Sequence, residues 1–278
     1  MQPPEIFHRA ARRLRRDRIA NRFAEANFLR QFMIEGLSER LDAVTREFND
    51  VLDLGCFDAG LPLPGTRIVR ADPGFAFARA AGGVQCDEDR LPFADGSFDL
   101  IVSAGTLDQV NDLPGALSLI RRALRPDGLF LAAFTGGATL ATLRATLMEA
   151  EGDRPAARVH PQVKLQSAGD LLMRAGFALP VADAETLNVR YAGFGRLIED
   201  LRGMAGTSLL VDRAPLSRAA FVEAATRFSE RADDGGRVAE QYEVIYLTGW
   251  APSSDQPKPA RRGSATVSLA EALRPKRD

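Results

Sequence analysis

Val51-Leu52-Asp53-Leu54-Gly55-Cys56 decides how this chain is read. A short apolar run carrying one acid and stopped by glycine has the pattern of a buried strand whose end turns sharply. The pattern recurs downstream. Residues 67–71 are strand-like and end at Asp72, residues 84–86 end at Asp87, and residues 98–103 form the β-rich run FDLIVS. Between them, helices are expected over 75–81 and 113–124, the second with Asp112 as N-cap ahead of Pro114. Pro126-Asp127-Gly128 marks a turn before a strand over 129–134. Alternating strands and helices imply an α/β fold, a doubly wound and mostly parallel sheet. Right-handed crossovers put the loops after the strands on one rim, and ligands of such sheets bind there.

The second half predicts a long helix over 136–151, a loop over 152–164 and a helix over 168–175 closed by Gly176. A strand over 187–191, helices over 194–204 and 216–229 and a strand over 242–250 follow. A late antiparallel hairpin suits the last two strands. Residues 5–30 read as one helix with a weak apolar stripe, its arginines solvated or docked on an acidic partner. From Ala251 the composition turns to Pro, Ser, Lys and Arg, the signature of a mobile tail. Three parts result: a basic N-terminal helix (1–30), an α/β domain (31–252) and a basic tail (253–278).

Composition narrows the function. The 278 residues are 45% hydrophobic, enough for a sizeable core, and the formal net charge of −1 gives no global fit to nucleic acid. Two cysteines, Cys56 and Cys86, are too few for a disulfide framework and favour a reducing compartment. No apolar run is long enough for a transmembrane helix, which leaves peripheral membrane association at most. An arginine-rich start has some character of an organelle transit peptide, but Glu5 and Asp17 oppose that reading. His8 and His160 stand far apart, so no metal site is expected, and Gly-x-Ser-x-Gly is absent.

The stretch 51–56 resembles the first motif of class I S-adenosylmethionine-dependent methyltransferases, Asp-x-Gly-x-Gly-x-Gly. Its glycines let the backbone approach the cofactor. Asp72 stands where the family's acid meets the ribose hydroxyls, and Asp87-Glu88 where it contacts adenine. Leu91-Pro92-Phe93, Ser97-Phe98-Asp99 and Arg125-Pro126-Asp127-Gly128 resemble its turns into the fourth and fifth strands. The resemblance implies S-adenosylmethionine as cofactor, with Asp53, Gly55, Asp72, Asp87, Glu88 and Ser103 lining its pocket; the catalytic residue stays open. Phe57 and Ala59 replace glycines, and Pro62 and Pro64 forbid a regular helix between the first two strands. Two readings stay open: a retained fold with a decayed pocket, or a rebuilt pocket that still holds the cofactor.

A closer resemblance runs the length of the chain. It rests on Ile6-Phe7, the arginine-rich opening, Val110-Asn111-Asp112-Leu113-Pro114, Arg174-Ala175-Gly176-Phe177, Glu199-Asp200-Leu201-Arg202-Gly203-Met204, Tyr246-Leu247-Thr248-Gly249-Trp250 and Arg262-Gly263-Ser264-Ala265-Thr266-Val267-Ser268. These resemble the complex I assembly factor 5 family, itself similar to malonyl-carrier-protein methyltransferases of biotin synthesis. The resemblance implies a protein substrate or a respiratory complex I subunit as partner, with arginine hydroxylation in the mitochondrial relatives. The place of work is then the cytoplasm or the inner face of the membrane in a bacterium, or the mitochondrial matrix in a eukaryote. The chain departs from that family at Leu107-Asp108-Gln109-Val110, where Leu-His-Trp-Val is usual. Arg158, Tyr191, Asp200 and Arg202 are the substrate candidates, since an arginine can bind a carboxylate bidentately and a tyrosine can donate to it. Alternatives are a non-catalytic assembly protein and a methyltransferase for a carrier-bound acid.

Overall fold

The computed structural model describes residues 5–152 and 156–256. The strands are β1 (Asp50–Leu54), β2 (Arg67–Asp72), β3 (Val84–Gln85), β4 (Phe98–Ala104), β5 (Leu124–Gly136), β6 (Ala178–Tyr191) and β7 (Val238–Trp250). They form one sheet in the order β3-β2-β1-β4-β5-β7-β6. The first five strands are parallel, while β7 runs antiparallel to both β5 and β6. The expected antiparallel pair is present, but its strands are separated in sequence by two helices, so it is no simple hairpin.

Side-chain alternation in the strands builds two core layers. Leu52, Leu54, Ile101, Phe130, Phe134 and Leu247 point to one face. There they meet α4 (Leu113–Ala123) and α6 (Leu165–Arg174) through Leu117, Ile120 and Leu172. Val51, Leu100, Val102, Leu131 and Tyr246 point to the other face, against Met33 and Leu37 of α2 (Phe28–Asp42). A third cluster joins α5 (Ala141–Glu151), α7 (Phe194–Gly203) and α8 (Arg218–Ser229) over the ends of β6 and β7. The remaining helices are α1 (Arg9–Ile19) and α3 (Phe75–Ala80).

Several expectations change. Residues 5–30 do not form one helix: α1 ends at Ile19, a 3₁₀ turn covers Phe23–Glu25, and α2 begins at Phe28. The expected helix over 136–151 starts only at Ala141, because Gly136 still belongs to β5 and both Gly137 and Leu140 take left-handed φ angles of +54° and +58°. The strand expected over 187–191 begins at Ala178. No helix links β1 to β2, as the two prolines require. The tail beyond residue 256, with Arg262 and the Arg-Gly-Ser-Ala-Thr-Val-Ser stretch, lies outside the described residues.

Candidate functional site

The rim beyond the carboxyl ends of β1, β2 and β4 gathers the predicted cofactor residues. Asp72 closes β2, and Asp87 and Glu88 follow β3. Gly55 turns the chain out of β1 at φ +79°, and a Cβ there would lie 2.2 Å from the Thr106 side chain. Glycine is therefore required at 55 by the protein's own packing. All four acids of the set, Asp53, Asp72, Asp87 and Glu88, are buried.

Their partners come from the chain itself. Arg16 binds Asp72 with two donors, Nε to Oδ1 at 2.9 Å and Nη2 to Oδ2. The same carboxylate accepts from the Phe57 N–H (2.9 Å) and the Gly74 N–H (2.7 Å). Arg12 grips both oxygens of Glu88 at 2.6 and 2.8 Å and also donates to the Thr106 carbonyl. Arg13 donates to Asp87, and Arg9 forks onto Asp89. From α2, Arg30 donates to the carbonyls of Gly55 (3.1 Å), Cys56 (2.9 Å) and Ala104. The Ser103 hydroxyl is taken up by the Thr106 hydroxyl at 3.0 Å.

The helix packs against the edge of the domain, as one expectation had it, but Arg12 and Arg16 on that face are buried and not solvated. Arg12 and Arg16 are 4% and 2% exposed. The signal was legible: Arg9, Arg12, Arg13 and Arg16 are spaced to share one helical face. The acids opposite them are non-local, which hid the match.

Phe57 completes the closure. It stands at a motif glycine with φ +46°. Its ring stacks on Phe23 at 4.7 Å and lies 3.6 Å from the Arg16 guanidinium carbon and 4.6 Å from that of Arg30. Aromatic and cation–π contacts thus hold the side chain in the space that the glycine would leave open. The residues present do not fit S-adenosylmethionine. The acids expected at its ribose hydroxyls and adenine already hold arginines, and Phe57 fills the approach to the β1 turn.

Asp53 has a different problem. Its side chain is fully buried, and neither carboxylate oxygen has a hydrogen-bond partner. The closest cation, Arg70, stands 4.0 Å away. Burial pushes the Asp53 carboxyl up to about 6, partly offset by Arg30 and Arg70. Cys56 and Cys86 are free and buried, and burial pushes both thiols up to about 12, far from nucleophilic.

A cavity of about 500 Å³ opens beyond β4 and β5 instead. Apolar side chains dominate its wall, among them Leu29, Met33, Leu143, Phe194 and Phe221, and Phe57 and Arg30 of the closed cleft also line it. Asp108 lines it, with Oδ2 accepting from the Thr135 hydroxyl at 2.9 Å and Oδ1 unpartnered. Burial raises the Asp108 pKa, against the pull of Thr135 and Arg12. His160 also lines the cavity; its Nε2 accepts from the Leu209 N–H at 2.8 Å, and burial drives its pKa down to about 4. It is therefore a neutral imidazole at physiological pH.

Of the four substrate candidates, Arg158 and Arg202 line this cavity. Arg158 is ion-paired to Glu151. Tyr191 is buried behind the wall, its hydroxyl 2.8 Å from that of the lining Tyr242. Asp200 pairs with Arg196 on its own helix, while its neighbour Glu199 is exposed. In the sequence Asp108 stands out only as a departure and His160 only as a discarded metal ligand, and nothing there singles out Arg30. Among the described residues, no cluster of His, Cys, Asp and Glu could hold a metal ion.

Sheet order, strand-end acids and rim together define a protein of the class I methyltransferase fold. A family model described as methyltransferase domain matches residues 52–132. The YcgJ protein of Bacillus subtilis superposes with a TM-score of 0.56 over 79% of this chain and 99% of its own, at 16% identity. Closer in sequence is the Danio rerio protein Arginine-hydroxylase NDUFAF5, mitochondrial, 32% identical over 97% of this chain and 90% of its own length. A Malonyl-[acyl-carrier protein] O-methyltransferase of Halorhodospira halophila is 34% identical over 84% of the chain and 85% of its own. The chain belongs to the NDUFAF5 family, as a methyltransferase-like protein. No helix among the described residues is long and apolar enough to cross a membrane.

Proposed function

We propose that this protein acts in the maturation of respiratory complex I by engaging an arginine-bearing segment of a protein client in the cavity beyond β4 and β5. The observation that carries the reading is Asp108. It is reached from the cavity, screened from bulk water, and has an oxygen without a partner. An entering guanidinium would supply the missing donors and favour the charged carboxylate, with charge-assisted hydrogen bonds strengthened by the low-dielectric wall. Relatives named arginine hydroxylases support arginine as the group recognised. S-adenosylmethionine is left out of the reading, because the cleft that would hold it is filled. The work then lies on the cytoplasmic face of the membrane in a bacterium, or in the matrix of a mitochondrion.

Deleting the gene in its native host should deplete assembled complex I, and the wild-type gene should restore it. Asp108→Asn, which cannot carry the charge, and Leu143→Trp, which fills the cavity, should each restore less than about a tenth of it, consistent with losing a buried ionic contact. Normal complex I in the deletion strain, or full rescue by both folded variants, would sink the proposal.

A further inference from the structure

Three arginines close the cleft. Arg16 on Asp72 takes the place of ribose hydroxyls and Arg12 on Glu88 that of the adenine edge, while Arg30 caps the Gly55 and Ala104 carbonyls at the β1 and β4 ends. They come from two separate helices. Withdrawal of α1 alone would free Asp72 and Glu88 but leave Arg30 and Phe57 in place.

The segment that carries α1 is also tied down by contacts that do not involve the acids. Asn111 accepts from the Ile6 and Phe7 N–H groups at 2.8 Å and donates to the Phe7 carbonyl. His8 caps the helix through Nδ1, and its own N–H donates to the Leu209 carbonyl. Asp17 accepts from the Ala76 N–H at 2.8 Å, and Arg15 donates to the Thr207 and Ser208 carbonyls. Gly74 lets α1 approach, since a Cβ there would lie 2.8 Å from the Arg16 Cβ. Phe7 is buried and meets the His160 ring edge-on at 5.0 Å.

We infer that the cleft is permanently closed: Arg12, Arg16 and Arg30 are its built-in occupants, and this chain does not take S-adenosylmethionine. The arginines satisfy acids that would otherwise be buried charges, so α1 has become part of the core instead of a lid. The inference is independent of what the neighbouring cavity binds.

The test is calorimetric titration of the full chain with S-adenosylmethionine and S-adenosylhomocysteine, in the wild type and in an Arg12→Gln/Arg16→Gln double variant. The expected result is no saturable binding by either protein up to roughly 1 mM, about a thousandfold above a micromolar site. Micromolar binding by the wild type overturns the inference. Binding gained only by the double variant supports it, since removing the occupants is then what opens the cleft. Should the double variant fail to fold, hydrogen exchange of the wild type decides. Permanent closure requires α1 amides as protected as those of β4 and unchanged by ligand, whereas α1 amides that exchange about a hundredfold faster and slow on adding ligand contradict it.

Discussion

Asp53 and Asp72 are both strand-end acids, and their surroundings give them opposite roles. Asp72 has four hydrogen bonds and Asp53 has none. Because the folded Asp53 carboxyl titrates at about 6, above its ordinary value of 3.8, the folded state holds a proton that the unfolded state has released. Its stability contribution is therefore intact below the unfolded value and falls as pH rises to about 6. Asp53→Asn removes that dependence. Relative to the wild type, it should gain about 2 kcal/mol between roughly pH 4 and pH 7 in denaturant melts. A constant difference would mean that Asp53 is charged and solvated. The comparison cancels His160, whose depressed pKa costs stability as pH falls from 6.5 towards about 4. At Asp72, Arg16→Met leaves a buried charge without its cation and should cost about 3–5 kcal/mol, whereas Arg16→Met combined with Asp72→Asn should cost clearly less than the sum of the two single changes. Additive losses in that double-mutant cycle would remove the pair from the account. The sequence revealed which acids sit at the strand ends. It did not reveal that Asp72 pairs with Arg16, which lies 56 residues earlier, because pairing at that distance leaves no local pattern.

Elements were legible where local chemistry sets them. Asp112 caps α4 as read, its side chain accepting from the Gly115 N–H at 2.9 Å. Pro62 and Pro64 keep the β1–β2 link from becoming helix. Helix α5 was misread because its start is set from another strand. Glu240 of β7 accepts from the N–H groups of Thr142 (3.1 Å) and Leu143 (2.7 Å), a borrowed N-cap at the positive end of the helix. Glu240→Ala should therefore cost about 1–2 kcal/mol and loosen the amides of the first turn of α5 in hydrogen exchange. Unchanged protection there would assign the helix start to something else. The early end of α1 likewise escaped notice, since no glycine or proline marks it.

At the scale of the whole molecule, the insertion of β7 between β5 and β6 gives the sheet its antiparallel edge and carries Tyr242 to the cavity wall. The late antiparallel pair was read from the β-rich run near the end of the chain. The cavity was not, because its wall is drawn from α2, α5, α7 and α8 and from the loops between them. Family membership fits this division, since resemblance along the chain preserves the sheet and its helices.

By itself, the sequence determined the alternating sheet, the loss of the first crossover helix and the family. Each rests on periodicity, on turn residues or on motif order, all of which act between near neighbours. Only the tertiary structure decided that the cleft is closed and that an open cavity lies beside it. Closure depends on α1 and α2 meeting the rims of β1, β2 and β4, and burial then turns arginines that could have faced water into the required partners of buried acids.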